Sequence, residues 1–478
     1  MEGPMHPIVR PIFVPCLVSL FVLAAALAPP AASQAPVPAL EVGDSAGYGT
    51  ELDLGVLLEP YLDMIREQDA MTDNLTIAAL SATGSLDVWG VSEVTGAADP
   101  TVEITTDVVV GLDFHFALDA TIDALPDPGT YTGTRDPYWG LCMYPGVPTS
   151  SRRITVDLDV RYLEVDSEVA LHNASDLALR ESTTNASVES LVTFVATGLP
   201  RIEMNDTTCE QTVAYETLNL RATADVDAQV RSVFAPALDR FDFPLEDGDA
   251  WCANATATFG GTVAGTIDVT GLDPEDEADL FEAIHEALSG TAGVVVTGLD
   301  GFPVDLAQIT VLVGGVEYLA DGTIHDVSTP VSSCYVASER QMTLADGQFH
   351  TVYEIASAPL PMDPYLPPGS APYVATYYSP DDGMVVGYAL VVPSGGTADP
   401  VFELRNVSPA EARSHIGTTK DQYAIQPAAA GDPVADLFLK SPYWGILVIV
   451  AAGILVAALL LRRRRRPTSG PPAPPPPP

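Results

Sequence analysis

The chain has 478 residues, 64 of them acidic and 21 basic, for a formal net charge of −43 at pH 7. That sign repels nucleic acid and anionic headgroups, so a nucleic-acid-binding class is excluded. The acids are dispersed among β-branched and aliphatic residues, and 47% of the chain is hydrophobic, which excludes a disordered acidic segment.

The first residues read as a secretory signal, 1–34. Arg10 precedes the apolar run Leu17–Ala28, and small residues follow at Ala31, Ala32, Ser33 and Ala35. The run is shorter than the roughly 20 residues needed to span a bilayer. Gly43-Asp44-Ser45-Ala46-Gly47 matches the hydrolase Gly-x-Ser-x-Gly pattern, but that motif needs a strand before the serine and a helix after it. Gly55–Ala70 predicts a helix, with Pro60 in its first turn and Tyr61, Met64 and Ile65 on one apolar face.

Beyond it the period becomes two. Ile154, Val156, Leu158, Val160 and Tyr162 alternate with polar residues, as in a strand with one wet face. Similar runs cover Val102–Ala120, Val188–Ala196, Val213–Val230 and Ala255–Val269. The fold class expected is mainly β: long, curved antiparallel sheets with a few packed helices, plus one C-terminal transmembrane helix. The pattern divides the mature body into β-rich domains at 35–205 and 206–410.

Inside the second, Asp273 and Pro274 start a helix expected over 274–289. Leu280, Phe281, Ile284 and Leu288 form its stripe, with His285 at the surface and Gly290 ending it. Leu319-Ala320-Asp321-Gly322 and Leu344-Ala345-Asp346-Gly347 place Asp-Gly between strand-like runs, which predicts hairpin turns in a meander. His325 and His350 follow at matching offsets, but a shared metal site is not expected, since ligands also need converging geometry.

Residues 411–441 lose the alternation and read as a stalk. Tyr443–Leu461 contains no charge and no proline, begins with Tyr443-Trp444, and is followed by Arg462–Arg466. A transmembrane helix at 442–461 follows, with 462–478 as an Arg/Pro-rich cytoplasmic tail and the N-terminus outside.

Without the two ends, 15 basic and 63 acidic residues remain. Cys142, Cys209, Cys252 and Cys334 imply two disulfides, with three pairings open. Six of the seven asparagines, Asn74, Asn173, Asn185, Asn205, Asn254 and Asn406, begin Asn-x-Ser/Thr triplets and read as glycan acceptors. The phosphate-loop, zinc-protease and complete calcium-loop patterns are not found, so neither a catalytic residue nor a cofactor or metal is assigned.

The stretch Phe241-Asp242-Phe243-Pro244-Leu245-Glu246-Asp247-Gly248-Asp249-Ala250-Trp251 resembles the Phe-Pro-Leu-x-x-Gly-x-x-Trp signature of uncharacterised exported β-sheet proteins of archaea and bacteria. Tyr377-Tyr378-Ser379-Pro380-Asp381-Asp382-Gly383-Met384-Val385-Val386 resembles their closing hairpin. The resemblance covers about residues 205–410. It implies that Gly248 turns the chain, that Trp251 starts a core strand, and that a curved, lipoprotein-carrier-like half barrel packs on a helix. By analogy it also allows a cavity for an apolar ligand.

The function expected is a single-pass, glycosylated cell-surface protein, non-enzymatic, serving as an envelope or interaction module. Its partners would be the membrane and an extracellular protein, glycan or lipid. A lipid-binding protein is the second reading, and a surface hydrolase without a recognisable motif the third.

Overall fold

The computed structural model describes residues 37–425, apart from 70–74, 282–293, 358–372, 392–399 and short gaps at 137, 139–140, 145, 206, 273, 275–276 and 279–280. In chain order the elements are β1 (Ser45–Asp53), α1 (Leu54–Asp69), β2 (Leu75–Ala98), β3 (Thr101–Pro126) and β4 (Gly129–Thr132). There follow β5 (Thr134–Arg135), β6 (Cys142–Met143), β7 (Thr149–Asn173), β8 (Leu179–Asn205), β9 (Glu210–Leu238) and β10 (Ala250–Thr270). The short strands β11 (Val294–Thr297), β12 (Val304–Asp305), β13 (Thr310–Val313) and β14 (Val316–Ala320) form an insert. The chain continues through β15 (Thr323–Thr343), β16 (Phe349–Ser357), β17 (Tyr373–Ser379), β18 (Met384–Val391), β19 (Pro400–Val407) and α2 (Pro409–Tyr423).

Twelve antiparallel strands close into a barrel, in the order β1-β2-β3-β7-β8-β9-β10-β15-β16-β17-β18-β19. Closure comes from β19 pairing with β1, Gly47 opposite Val407 and Gly49 opposite Arg405. The half barrel implied by the resemblance is therefore completed, because strands from before residue 205 supply the missing wall. The boundary expected at 205/206 falls at the turn between β8 and β9, which pair from Leu179–Leu238 to Asn205–Glu210. Strands on both sides of residue 205 belong to one barrel.

All the predicted β runs are strands, each longer than its pattern indicated. Both Leu-Ala-Asp-Gly segments are turns, between β14 and β15 and between β15 and β16. Gly248 turns the chain at φ 88°, and Trp251 lies at the start of β10, packed beside Phe241 and Leu245.

The helices required more correction. In α1 the buried face is Leu54 and Leu62 with Leu58, packed on Leu80, Phe114 and Phe116. Tyr61, Met64 and Ile65, the apolar face read from sequence, are exposed, and Pro60 lies inside the helix beyond its first turn. The leucines repeat at intervals of four, so they form the stripe that the barrel buries. Residues 411–423, expected as the start of a stalk, belong to α2. Ser408 caps this helix by accepting from Glu411 N, with Pro409 in the first turn. Ala412, Ile416 and Tyr423 of α2 pack on Trp89, Val91, Val109 and Leu163 of the outer wall. Of the helix expected at 274–289, Pro274, Glu277, Ala278 and Phe281 are helical, and Phe281 packs on Phe302 with ring centroids 4.8 Å apart.

Among the described residues no helix is long and apolar enough to cross a membrane. The expected signal, transmembrane run, tail and Asn74 lie outside the described residues.

Candidate functional site

Opposite residues of antiparallel neighbours share a face, so register locates the inward side chains. Tyr48, Gly90, Val108 and Asp166 form one inward row across β1, β2, β3 and β7. The next row holds Ala46, Ser92, Thr106 and Glu168. The inward face of β7 is thus Tyr162, Glu164, Asp166, Glu168, Ala170 and His172: apolar residues give way to carboxylates on the same period of two. Asp166 and Glu168 are 7% and 3% exposed, a level that carboxylates reach only with partners.

Polar and charged groups around them come from the wall and from the segment between β9 and β10. Tyr162 OH donates to Glu164 Oε2 at 2.5 Å, and the Ser92 and Thr106 hydroxyls are 2.9 Å apart. Arg240 enters from the connecting segment. It keeps part of its surface accessible, but its Nε is enclosed with no hydrogen-bond partner among the described residues. Burial pulls the Arg240 guanidinium below its ordinary range, opposed by Tyr335, Glu168 and Tyr388. Phe241 and Leu245 of the same segment pack on the inward residues Tyr353, Ile355 and Tyr378, which closes this end.

Burial raises the Tyr48 and Tyr388 hydroxyls well above the ordinary phenol range, and both stay neutral. Their rings meet edge-on at 5.1 Å. Nearer the rim, His172 Nδ1 donates to the Leu177 carbonyl at 2.9 Å. Burial, with Arg240 nearby, lowers its pKa to about 4, so it is neutral at pH 7. Asp239, which precedes Arg240 in the connecting segment, is raised to about 6, chiefly by burial.

A second cluster lies outside. His115 on β3 has Nδ1 at 2.8 Å from Asp159 Oδ1 and 3.9 Å from Asp157 Oδ1 on β7. The three ligand atoms fall within 4.8 Å of one another and can share a divalent cation, leaving its other positions to water. Both carboxylates are exposed and His115 is half-buried, and an Arg161–Asp113 pair at 3.8 Å stands on the same strands. A shallow depression of about 300 Å³ lies farther round the wall, lined by Asn185, Asp227, Gln229 and Thr262.

The sites expected from sequence are dispersed. Cys142 bonds Cys209 and Cys252 bonds Cys334, which settles the pairing. Asn185, Asn205 and Asn254 are exposed and Asn173 is half-buried. Asn406 faces inward opposite Tyr48; its Nδ2 donates to the Gly47 carbonyl at 3.3 Å and its Oδ1 accepts from Ala345 N at 2.8 Å. Ser45 opens β1, so among the described residues no strand precedes it, and β1 rather than a helix follows it. His325 lies 4.0 Å from Glu317 at one end of β15, and His350 sits between Asp346 and Asp381 beyond its other end.

Neither the lumenal carboxylates nor the His115 cluster was singled out from sequence. Glu164, Asp166 and Glu168 prolong the alternation of Tyr162, which was a usable signal. The His115 cluster depends on cross-strand register, and no local pattern carries that.

No family model, curated protein or solved structure matches the chain.

Proposed function

We propose that the chain is a single-pass cell-surface protein whose barrel acts through its outer surface, as a non-enzymatic envelope or interaction module. The observation that carries this reading is the filled lumen. Tyr48, Tyr353, Tyr378 and Tyr388 are all but completely buried there, with Phe241 and Leu245 at one end and Leu54 and Leu306 towards the other. A ligand would have to displace these groups, and the buried carboxylates are equally enclosed. The two disulfides fit an extracytoplasmic domain. The exposed sequon asparagines Asn185 and Asn254 on the barrel wall fit glycosylation of the same surface.

The test is mass spectrometry of the full chain gently extracted from its own membrane, paired with activity screening of the same sample. The expected mass is explained by polypeptide, glycans and two disulfides. An additional lipid or small molecule that dissociates as a defined species moves the function to apolar-ligand binding. Turnover of a glycan or peptide substrate overturns the non-enzymatic reading outright.

A further inference from the structure

Exposed apolar side chains gather at one end of the barrel. On α1, Tyr61, Met64 and Ile65 are 57%, 43% and 41% exposed. In the β5–β6 hairpin stapled by Cys142–Cys209, Tyr138, Leu141 and Met143 are 91%, 60% and 56% exposed. Register puts both groups at the same end. α1 leaves β1 where Asp53 pairs with Ser85, and β2 resumes with Leu75 opposite Ile122, close to the end of β3. The stapled hairpin lies just past that end.

The last helix points the same way. α2 begins with Ala412 over Gly47 and finishes where Tyr423 OH meets Ser85 Oγ at 2.7 Å and donates to Asp87 Oδ2 at 2.6 Å. Ile425 N then donates to Glu189 Oε2 at 2.9 Å. The described chain therefore leaves the barrel heading for the apolar end. From the level of Asp113, near Tyr423, to Pro126 the strand runs on for about 40 Å. Residues 426–442, which precede the apolar run Tyr443–Leu461, reach about 55 Å at full extension. The tether is long enough for the barrel's far tips to touch a bilayer that holds that run.

Local charge is compatible with this placement. Near these tips Arg152 pairs with Asp127 at 3.1 Å, Arg153 with Asp119 at 2.6 Å and Arg201 with Glu216 at 3.5 Å, so part of the acidic excess is neutralised. Guanidiniums also match headgroup phosphates, and an amphipathic tyrosine suits the headgroup level.

We propose that the barrel rests on the outer leaflet by this end, with Tyr138, Leu141 and Met143 among the headgroups and the exposed stripe of α1 against them. The occupant of the apolar surface is the bilayer itself. The inference rests on the single-pass reading above.

The test uses the full chain reconstituted in phosphatidylcholine nanodiscs, with a photoreactive phenylalanine analogue placed singly at 138, 64 or 349. Phe349 is the control: it is 80% exposed and lies at the opposite end. Alkaline washing of the same chain in phosphatidylcholine vesicles reports whether it is an integral membrane protein. Retention with several-fold more lipid adduct from 138 and 64 than from 349 is the expected result. Retention with equal adducts overturns the orientation and leaves the anchor standing. Adducts from 138 to a second copy of the chain make this end a protein interface and overturn the bilayer as occupant. Release by alkali overturns the anchor and the orientation together.

Discussion

At one end of the barrel Leu54, Leu58 and Leu62 pack on Leu80, Phe114 and Phe116; at the other a guanidinium, a histidine and two carboxylates share the lumen with neutral tyrosines. The apolar end is held by burial, at roughly 25 cal/mol per Å² of apolar surface, and tolerates change in proportion to the volume lost. The polar end holds enclosed charges and hydroxyls that act on one another electrostatically, so a change at one member is felt by the others. One wall thus supports two kinds of closure, which differ in their response to pH.

The largest expected effect is at the polar end. Arg240→Met removes an enclosed guanidinium that interacts electrostatically with buried Glu168 and should lower stability in denaturant unfolding by about 3 kcal/mol. The paired change Arg240→Met with Glu168→Leu should recover much of that loss. If the single variant unfolds like the wild type, Arg240 is not part of the closure. At the apolar end Leu54→Ala should cost about 3 kcal/mol by loss of packing, equally at pH 7 and pH 5.

The pH response sharpens the contrast. His172 has its folded pKa lowered from 6.5 to about 4, so between those values the unfolded chain binds the extra proton. Stability therefore falls as pH drops from about 6.5 to 4, by about 3 kcal/mol if this group acts alone. Asp239 works in the opposite sense: its folded pKa is raised to about 6, so acidification relieves its buried charge. Melting curves should show His172→Gln flattening the acid loss and Asp239→Asn steepening it. Unchanged slopes in both would remove these groups from the account.

A smaller effect is expected on the outer wall beneath α2. A Cβ at Gly111 would stand 2.3 Å from the Tyr423 ring. Gly111→Ala should therefore lift the end of α2 at a cost of about 1–3 kcal/mol, seen as faster amide exchange in that helix. Least of all, His115→Ala on the exposed wall should change stability by under about 0.5 kcal/mol. A larger loss would show that the His115–Asp159 pair braces β3 against β7.

Much of the barrel was legible because its long strands alternate cleanly, as Ile154–Tyr162 does. Closure was not, since the β1–β19 pair joins segments from opposite ends of the chain and leaves no local trace. The register of β7 runs unbroken past Tyr162, but its hydrophobicity does not follow it: Leu163 faces outward beneath α2 while Glu164, Asp166 and Glu168 face inward. With both faces covered there, hydrophobicity no longer marks the inside. Alanine and proline beyond residue 423 made the whole of 411–441 read as a stalk, although the Ser408–Glu411 cap was present. On α1 two apolar stripes compete in the sequence, and the barrel buries Leu54, Leu58 and Leu62 while Tyr61, Met64 and Ile65 stay exposed.

The packing of α2 also sets how the molecule bears load. A pull on Ile425 directed away from the barrel first strips its bond to Glu189, then frees Tyr423 from Ser85 and Asp87, and only afterwards reaches Ile416 and Ala412. Contacts loaded one at a time give way at lower force than contacts loaded together. The helix behaves as a strip peeled from its free end, while the β1–β19 seam beyond Ser408 meets the remaining tension last. A tug on the tether would thus unwind a short leash before it opened the wall.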